Sequence, residues 1–280
     1  MIENRGTRLD APANGLRRFR RAYGEHRARE GRALPIAALL RLPDLEDGPF
    51  APQWRIRRRT FRCFLARVFE PLARARAPEP LAVLDLGAGN GWLCYRVTLL
   101  GARPVAVDLR TDAVDGLAAA AAYASHLPHL FPRLAAGFEA LPVASHNADL
   151  AVFNASLHYA LDLGRVLGEA VRVLKPDGRI AVLDSPCYET IEAGEAMVRE
   201  KHASRHQLFG DLAEDLTALP FVEYLTPARL AQASEGLGLA WRRHRPRYPL
   251  AYRLRPWIAR LRARRPPSRF DVWEAQRVAS

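Results

Sequence analysis

Residues 83–93 read VLDLGAGNGWL. A short apolar run holds one carboxylate, Asp85, and three glycines follow at alternate positions, Gly87, Gly89 and Gly91. Glycine lets a chain turn tightly and lets a ligand come close to the backbone. A buried strand that runs into such a turn and then into a helix opens a βαβ unit. The first amides of that helix favour a negative group. The spacing Gly-x-Gly-x-Gly nevertheless differs from the Gly-x-Gly-x-x-Gly of dinucleotide-binding turns. Asp85 would also repel a pyrophosphate lying against it. The loop therefore suits a ligand that carries a cation.

The pattern continues on the C-terminal side. Residues 81–86 are a predicted strand, 91–100 a helix stopped by Gly101, and 104–108 a second strand. Thr111 is the expected cap of a helix reaching about residue 124. Strands follow at 133–138, 148–154 and 179–184, with a helix at 162–174 and a turn at Pro176-Asp177-Gly178. Residues 237–243 and 269–277 complete the set. Apolar strands alternating with helices predict an α/β fold, a doubly wound, mostly parallel seven-stranded sheet with helices on both faces. Asp85, Asp108, Asn154 and Asp184 end their strands. In such sheets ligands bind at those carboxyl ends. Asp108, 23 residues after Asp85, suits a ribose diol there.

The flanks read differently. Residues 1–52 hold Pro12, Pro35, Pro43, Pro49 and Pro52 and are expected to be irregular, with short helical pieces. Trp54, Phe61, Leu65, Val68 and Leu72 recur at helical steps, so residues 53–76 form an amphipathic helix with arginines on its wet face. We therefore divide the chain into an N-terminal helical extension, 1–80, and a main domain, 81–280. The main domain carries helical insertions after strands five and six, at 186–222 and, strongly basic, at 246–267.

The 280 residues carry a formal net charge of +12, and Lys175 and Lys201 are the only lysines among 42 basic residues. So uniform a preference for arginine reads first as compositional bias, with a polyanionic partner as the alternative. Trp241 to Arg269 holds eleven arginines and no acid, interleaved with Tyr248, Tyr252 and Trp257. The spacing of Leu254, Trp257, Ile258 and Leu261 favours a helix packed on the core; RNA or a membrane surface is the competing use. No apolar run approaches the ~18 residues of a membrane helix, and the first fifteen residues contain no apolar leader. Cys63, Cys94 and Cys187 form no paired motif, which predicts a reducing, cytoplasmic setting without disulfides or a metal site.

Asp85-Leu86-Gly87-Ala88-Gly89-Asn90-Gly91 resembles motif I of class I S-adenosylmethionine (SAM)-dependent methyltransferases. Asp108 resembles their motif II acid, and Phe138-Glu139-Ala140-Leu141-Pro142 the segment that flanks adenine. Asn147-Ala148-Asp149 through His158 resembles the fourth-strand motif, and Val173 to Arg179 the turn into strand five. The resemblance spans residues 81–184 and is to the small-molecule group that includes quinone C-methylases. It implies a Rossmann-like sheet with SAM as cofactor. SAM bears an ammonium, a sulfonium and one carboxylate, and no phosphate. Gly87, Ala88, Gly89, Asn90 and Gly91 would hold its methionine end and Asp85 its ammonium. Asp108 would hold the ribose, Leu109, Phe138 and Glu139 the adenine, and Asn154 the amine or the acceptor. Many relatives have an aspartate where this chain has Gly137, which puts the usual adenine contact in doubt.

The segment after strand four, Asn-Ala-Ser-Leu-His-Tyr at 154–159, should face the methyl group. His158 is the expected general base, if the acceptor must lose a proton. His158, Tyr159, Tyr188, His202 and His206 are the expected substrate-side residues, the last three on a helix or its lead-in over 187–209. The arginines of the 53–76 helix are expected on its wet face, with Arg58 or Arg59 reaching the cofactor carboxylate as the minor alternative. Asn-Ala-Ser-Leu differs from the Asn/Asp-Pro-Pro-aromatic motif of base amino-methyltransferases. Cys187, without a matching context, is read as structural, and His202/His206 lack the further ligands of a metal site. The expected function is methyl transfer from SAM to an O, N or C nucleophile of a small molecule. An RNA or ribosome methyltransferase, or a non-catalytic SAM-binding protein, remains open.

Overall fold

The computed structural model describes residues 10–278; the residues on which the missing leader was chiefly read, 1–9, lie outside them. The elements in chain order are α1 (Asp10–Arg29), α2 (Ile36–Arg41), α3 (Ala51–Phe64), a π-helical turn (Leu65–Phe69), α4 (Glu70–Arg76), β1 (Ala82–Leu86), α5 (Trp92–Leu99) and β2 (Arg103–Asp108). A 3-10 helix (Leu117–His126), β3 (Arg133–Ala135), β4 (Ala148–Asn154), α6 (Leu163–Val173) and β5 (Leu174–Leu183) complete the first half of the sheet. Then come α7 (Ile191–Ala203), α8 (Arg205–Phe209), α9 (Ala213–Thr217), α10 (Pro227–Ala233), β6 (Leu239–His244), α11 (Leu250–Leu261) and β7 (Val272–Arg277).

The seven strands lie in the order β3-β2-β1-β4-β5-β7-β6. The first five are parallel, and β7 runs antiparallel between β5 and β6. Strand order reverses between β1 and β4, which opens a crevice at their carboxyl ends. β4 is buried along its whole length because both its faces are covered. Leu150 and Val152 join the core under α3, α4 and α5, whereas Ala151 and Phe153 join the core under α6 and α10. The period-2 alternation of a strand thus serves two separate cores. The helix caps that the side chains supply are local: Asp162 accepts from Arg165 N, and Thr226 from Arg229 N with Pro227 at the first position.

Several expectations are corrected. The N-terminal region contains a 20-residue helix, α1. Pro12 falls in its first turn, where no intrahelical N–H is needed. The 53–76 helix is unbroken in path but contains a π turn at Leu65–Phe69. Thr111 caps nothing; Asp112 instead accepts from the amides of Val114 and Asp115, and the helix starts only at Leu117. β3 stops at Ala135, so Gly137 and Phe138 are loop. Pro176-Asp177-Gly178 is not a turn ahead of the strand but an irregularity inside β5, where the pairing steps from Ala148↔Leu174 to Leu150↔Arg179. The proposed helix over 187–209 begins only at Ile191, because Cys187 and Tyr188 are held extended by backbone bonds with Arg269 and Leu225.

Gly87 is the position where the turn leaves least room. Its φ is +81°, and a Cβ there would lie 2.3 Å from Ser156 Cβ. Gly87→Ala therefore meets both backbone strain and a clash with packed structure. The expected loss in urea denaturation is about 2 kcal/mol or more.

Candidate functional site

The glycine turn is hung on the end of β2. The amides of Gly87 and Ala88 both donate to Val107 O, at 2.7 and 3.0 Å, and that of Gly89 donates to Asp108 Oδ2 at 2.8 Å. Gly91 N donates to Ala88 O and Trp92 N to Asn90 Oδ1. The N–H groups of Gly87, Ala88, Gly89, Gly91 and Trp92 are consumed inside the protein, which leaves little of a nest for a pyrophosphate. Its inward surface is backbone and Ala88, shaped for close approach.

Asp108 accepts a second amide, Arg110 N, at 2.7 Å. Burial raises its pKa despite these two donors. Asp85 lies deeper. Its Oδ2 accepts from Cys94 Sγ at 3.5 Å, and its buried Oδ1 has no partner. Burial pushes the Asp85 carboxyl up to about 7, against the smaller opposing effect of the Cys94 thiol. An orphaned carboxylate oxygen under a glycine turn fits a cationic group above it, reached directly or through water.

A cavity of about 710 Å3 opens over the strand ends. Gly87, Ala88, Gly89, Asn90, Asp108 and Leu109 line its floor, and Phe138, Glu139 and Asn154 one side. Asp85 and Gly91 lie behind the lining. Phe138 stands edge-on to Phe153, ring centres 5.7 Å apart. A Cβ on Gly137 would lie 3.3 Å from Glu139 Oε2. Glu139 thus brings a carboxylate to the space that an acidic side chain at 137 would fill.

The opposite wall comes from α1, whose Leu16, Phe19, Arg20, Tyr23 and Arg27 face inward at helical spacing. Phe19, Tyr23, Tyr159 and Phe221 form an aromatic cluster with ring centres 4.7–6.2 Å apart. Tyr159 Oη donates to Tyr23 Oη at 3.2 Å. Arg27 grips Asp115 Oδ2 from Nε and Nη2, and Asn90 Nδ2 donates to Asp115 Oδ1 at 3.0 Å. That chain ties α1 to the glycine turn.

His158 lines the cavity beside Tyr159, with Nδ1 3.3 Å from Ser185 Oγ. Burial, with Lys201 and Arg57 nearby, lowers its pKa to about 3. The ring is neutral across the physiological range and a weak base. Below it, Arg57 Nε donates to Asp184 Oδ2 at 3.1 Å and Arg57 Nη2 to Asn154 Oδ1 at 3.4 Å. Ala155 and Asp184 take left-handed backbone, φ 59° and 52°, so strain gathers where the two central strands meet the cavity.

The arginine reaching inward from α3 is Arg57. Arg58 pairs with Asp44 and Glu46, and Arg59 donates to Arg247 O. Tyr188, His202 and His206 do not line the cavity. Tyr188 is buried under Arg265, and the exposed His206 faces Glu214. The Cys187 thiol, pushed up to about 12 by burial, is unreactive. Among the described residues no cluster suits a metal ion. Sequence reasoning missed Phe19, Tyr23, Arg27, Arg57, Asp115 and Phe221. The 3- and 4-residue spacing of Leu16, Phe19 and Tyr23 was the available signal for the first two.

A methyltransferase-domain family model matches residues 84–182. The matched stretch runs from β1 to β5 and is similar to methyltransferase domains. A malonyl-[acyl-carrier protein] O-methyltransferase of Pseudescherichia vulneris is 31% identical over 52% of this chain and 57% of its own. An uncharacterised methyltransferase of Mycobacterium tuberculosis is 31% identical over 53% of this chain and 60% of its own. The chain thus spans about half the length of the curated relatives it matches. In fold it resembles the 1,6-didemethyltoxoflavin-N1-methyltransferase of Burkholderia thailandensis, solved with its substrate and S-adenosylhomocysteine (TM-score 0.53, 16% identity, 100% of this chain, 98% of the other).

Asp85 sets opposing demands. Its pKa is higher folded than unfolded, so it costs nothing below the ordinary carboxylate range, and the cost to the apoprotein grows from there to about pH 7 and then levels off. Asp85→Asn should raise the melting temperature of the apoprotein at pH 8 by roughly 5 °C. The gain should shrink towards pH 5, and SAM affinity should fall about tenfold. Thermal melts at both pH values and calorimetry measure the two effects.

Proposed function

We propose that this protein transfers the methyl group of SAM to a small-molecule acceptor whose nucleophile needs no base at neutral pH. The observation that carries the reading is one cavity with two walls of different character. The glycine turn, Asp108, Leu109, Phe138 and Glu139 make a nucleoside-shaped side. Phe19, Tyr23, His158, Tyr159 and Phe221 make an aromatic chamber beside it.

Bound SAM supplies a methyl group on a positive sulfur, whose C–S electron pair leaves with S-adenosylhomocysteine as the acceptor bonds to carbon. In this reading Asp108 takes the ribose hydroxyls on its remaining lone pairs, held in place by Gly89 N and Arg110 N. Asp85 balances the ammonium. Glu139 accepts from the adenine amine in place of a side chain at Gly137. Arg57, already tied to Asp184 and Asn154, presents its charge to the methionine carboxylate. The aromatic wall excludes water and aligns the acceptor, the main contribution that displacement at carbon requires.

His158, with its pKa near 3, cannot efficiently deprotonate an alcohol or a phenol. A carboxylate oxygen, or the lone pair of an amine that is unprotonated at neutral pH, is ready without it. Arg20 and Arg255 line the cavity and form no ion pair among the described residues, which favours an anionic acceptor. A carboxylate acceptor also agrees with the O-methyltransferase activity named for the Pseudescherichia relative.

Calorimetry should give micromolar SAM binding, weakened at least about tenfold by Asp108→Ala; no binding to a folded protein would end the proposal. His158→Asn should cost less than about tenfold in kcat, against the ~10²–10⁴ of a lost base. The wild-type kcat/KM profile should show no histidine inflection between pH 5 and 8.

A further inference from the structure

We propose that α11 docks the protein onto an anionic lipid surface. The helix has two unlike faces. Tyr252 and Arg255 turn inward and line the cavity. On the outer side Leu250, Leu254, Trp257, Ile258 and Leu261 are 66%, 42%, 67%, 42% and 86% exposed. Their spacing of i, i+4, i+7, i+8 and i+11 puts all five on one stripe about 100° wide. Packing on the core, expected from the same spacing, therefore does not occur; the apolar face points away from it.

Charge flanks the stripe. Arg253 and Arg260 border one side, Arg262 the other, and Arg264 follows the helix; all four are exposed. None forms an ion pair among the described residues, and Trp241 to Arg269 contains no acid. An apolar stripe with a central tryptophan and arginine edges matches the boundary between headgroups and acyl chains. Arginine edges add attraction to anionic headgroups. A second copy of the chain would bring the same arginines against themselves. A nucleic acid would use the arginines and leave the apolar centre in water. No helix of the described residues can cross a membrane, so the docking is peripheral. It rests on the outer face of α11 alone and is independent of the methyl-transfer reading.

Vesicle flotation tests it, with vesicles of equal parts phosphatidylglycerol and phosphatidylcholine against phosphatidylcholine alone. The protein should float with the anionic vesicles only. Trp257→Ser/Leu261→Ser should weaken that binding at least about tenfold while leaving calorimetric SAM binding as in the wild type. Arg253→Glu/Arg260→Glu should do the same. The blue shift of tryptophan emission on vesicle addition should vanish in Trp257→Phe. Failure to float at low salt would overturn the proposal. So would flotation indifferent to the apolar double variant, which would mean diffuse charge attraction. Tighter binding to an oligonucleotide, equally indifferent to that variant, would assign the surface to nucleic acid. A concentration-dependent dimer abolished by the variant would assign it to a second copy.

Discussion

The bond from Gly89 N to Asp108 Oδ2 and the two amides that share Val107 O fix the glycine turn to the neighbouring strand. Every other feature of the ligand-facing edge takes its position from that junction. Ser156 packs against Gly87 from the β4 side, and Asn90 reaches Asp115 and through it Arg27 of α1. The left-handed turn must be glycine there, because a side chain would push β4 away from β1. The same bonds consume the amides that a phosphate would use, so the geometry that builds the cavity also selects against dinucleotides.

How much of this was legible depends on the range of the forces involved. The strands, their order along the chain and the acids at their ends follow from local pattern: burial on both faces makes residues 150–153 of β4 an apolar run, and Asp85 and Asp108 sit at the ends of β1 and β2. The α1 wall was obscured because charge dominates its sequence and Pro12 reads as a breaker, although Pro12 is harmless in a first turn. Arg57 rather than Arg58 or Arg59 faces the site, a distinction set by the rotation of α3 on the sheet, which no spacing rule fixes to one residue. Tyr188, His202 and His206 were assigned to the acceptor from their place after strand five. Backbone pairing of Cys187 and Tyr188 with Arg269 and Leu225 turns that segment away. The apolar spacing in α11 was recognised, but periodicity identifies a face without saying what covers it.

The chemistry is set by what burial removes. His158 loses basicity because its charged form would sit without solvent near Arg57 and Lys201. Asp85 holds its proton more tightly for the same reason, the burial of a charge, and has one oxygen left over. One group is thereby silent and the other awaits a cation. In the proposed reading such a site would gain its rate from alignment and exclusion of water, with little proton traffic.

The α1 wall is held unlike the sheet. Arg18 and Arg21 face Asp215 at 3.7 Å, and Arg29 meets Asp211 at 2.5 Å, all near the surface. Beneath them lie the small cluster of Ala22, Leu212 and Leu216, with Phe19, Tyr23 and Phe209 packed against it, and the pair of Arg27 with Asp115. Exposed ion pairs weaken as salt screens them, whereas a buried parallel sheet does not. Ionic strength thus acts on the doorway and not on the floor: a salty solution loosens the aromatic wall while the strand ends keep their shape.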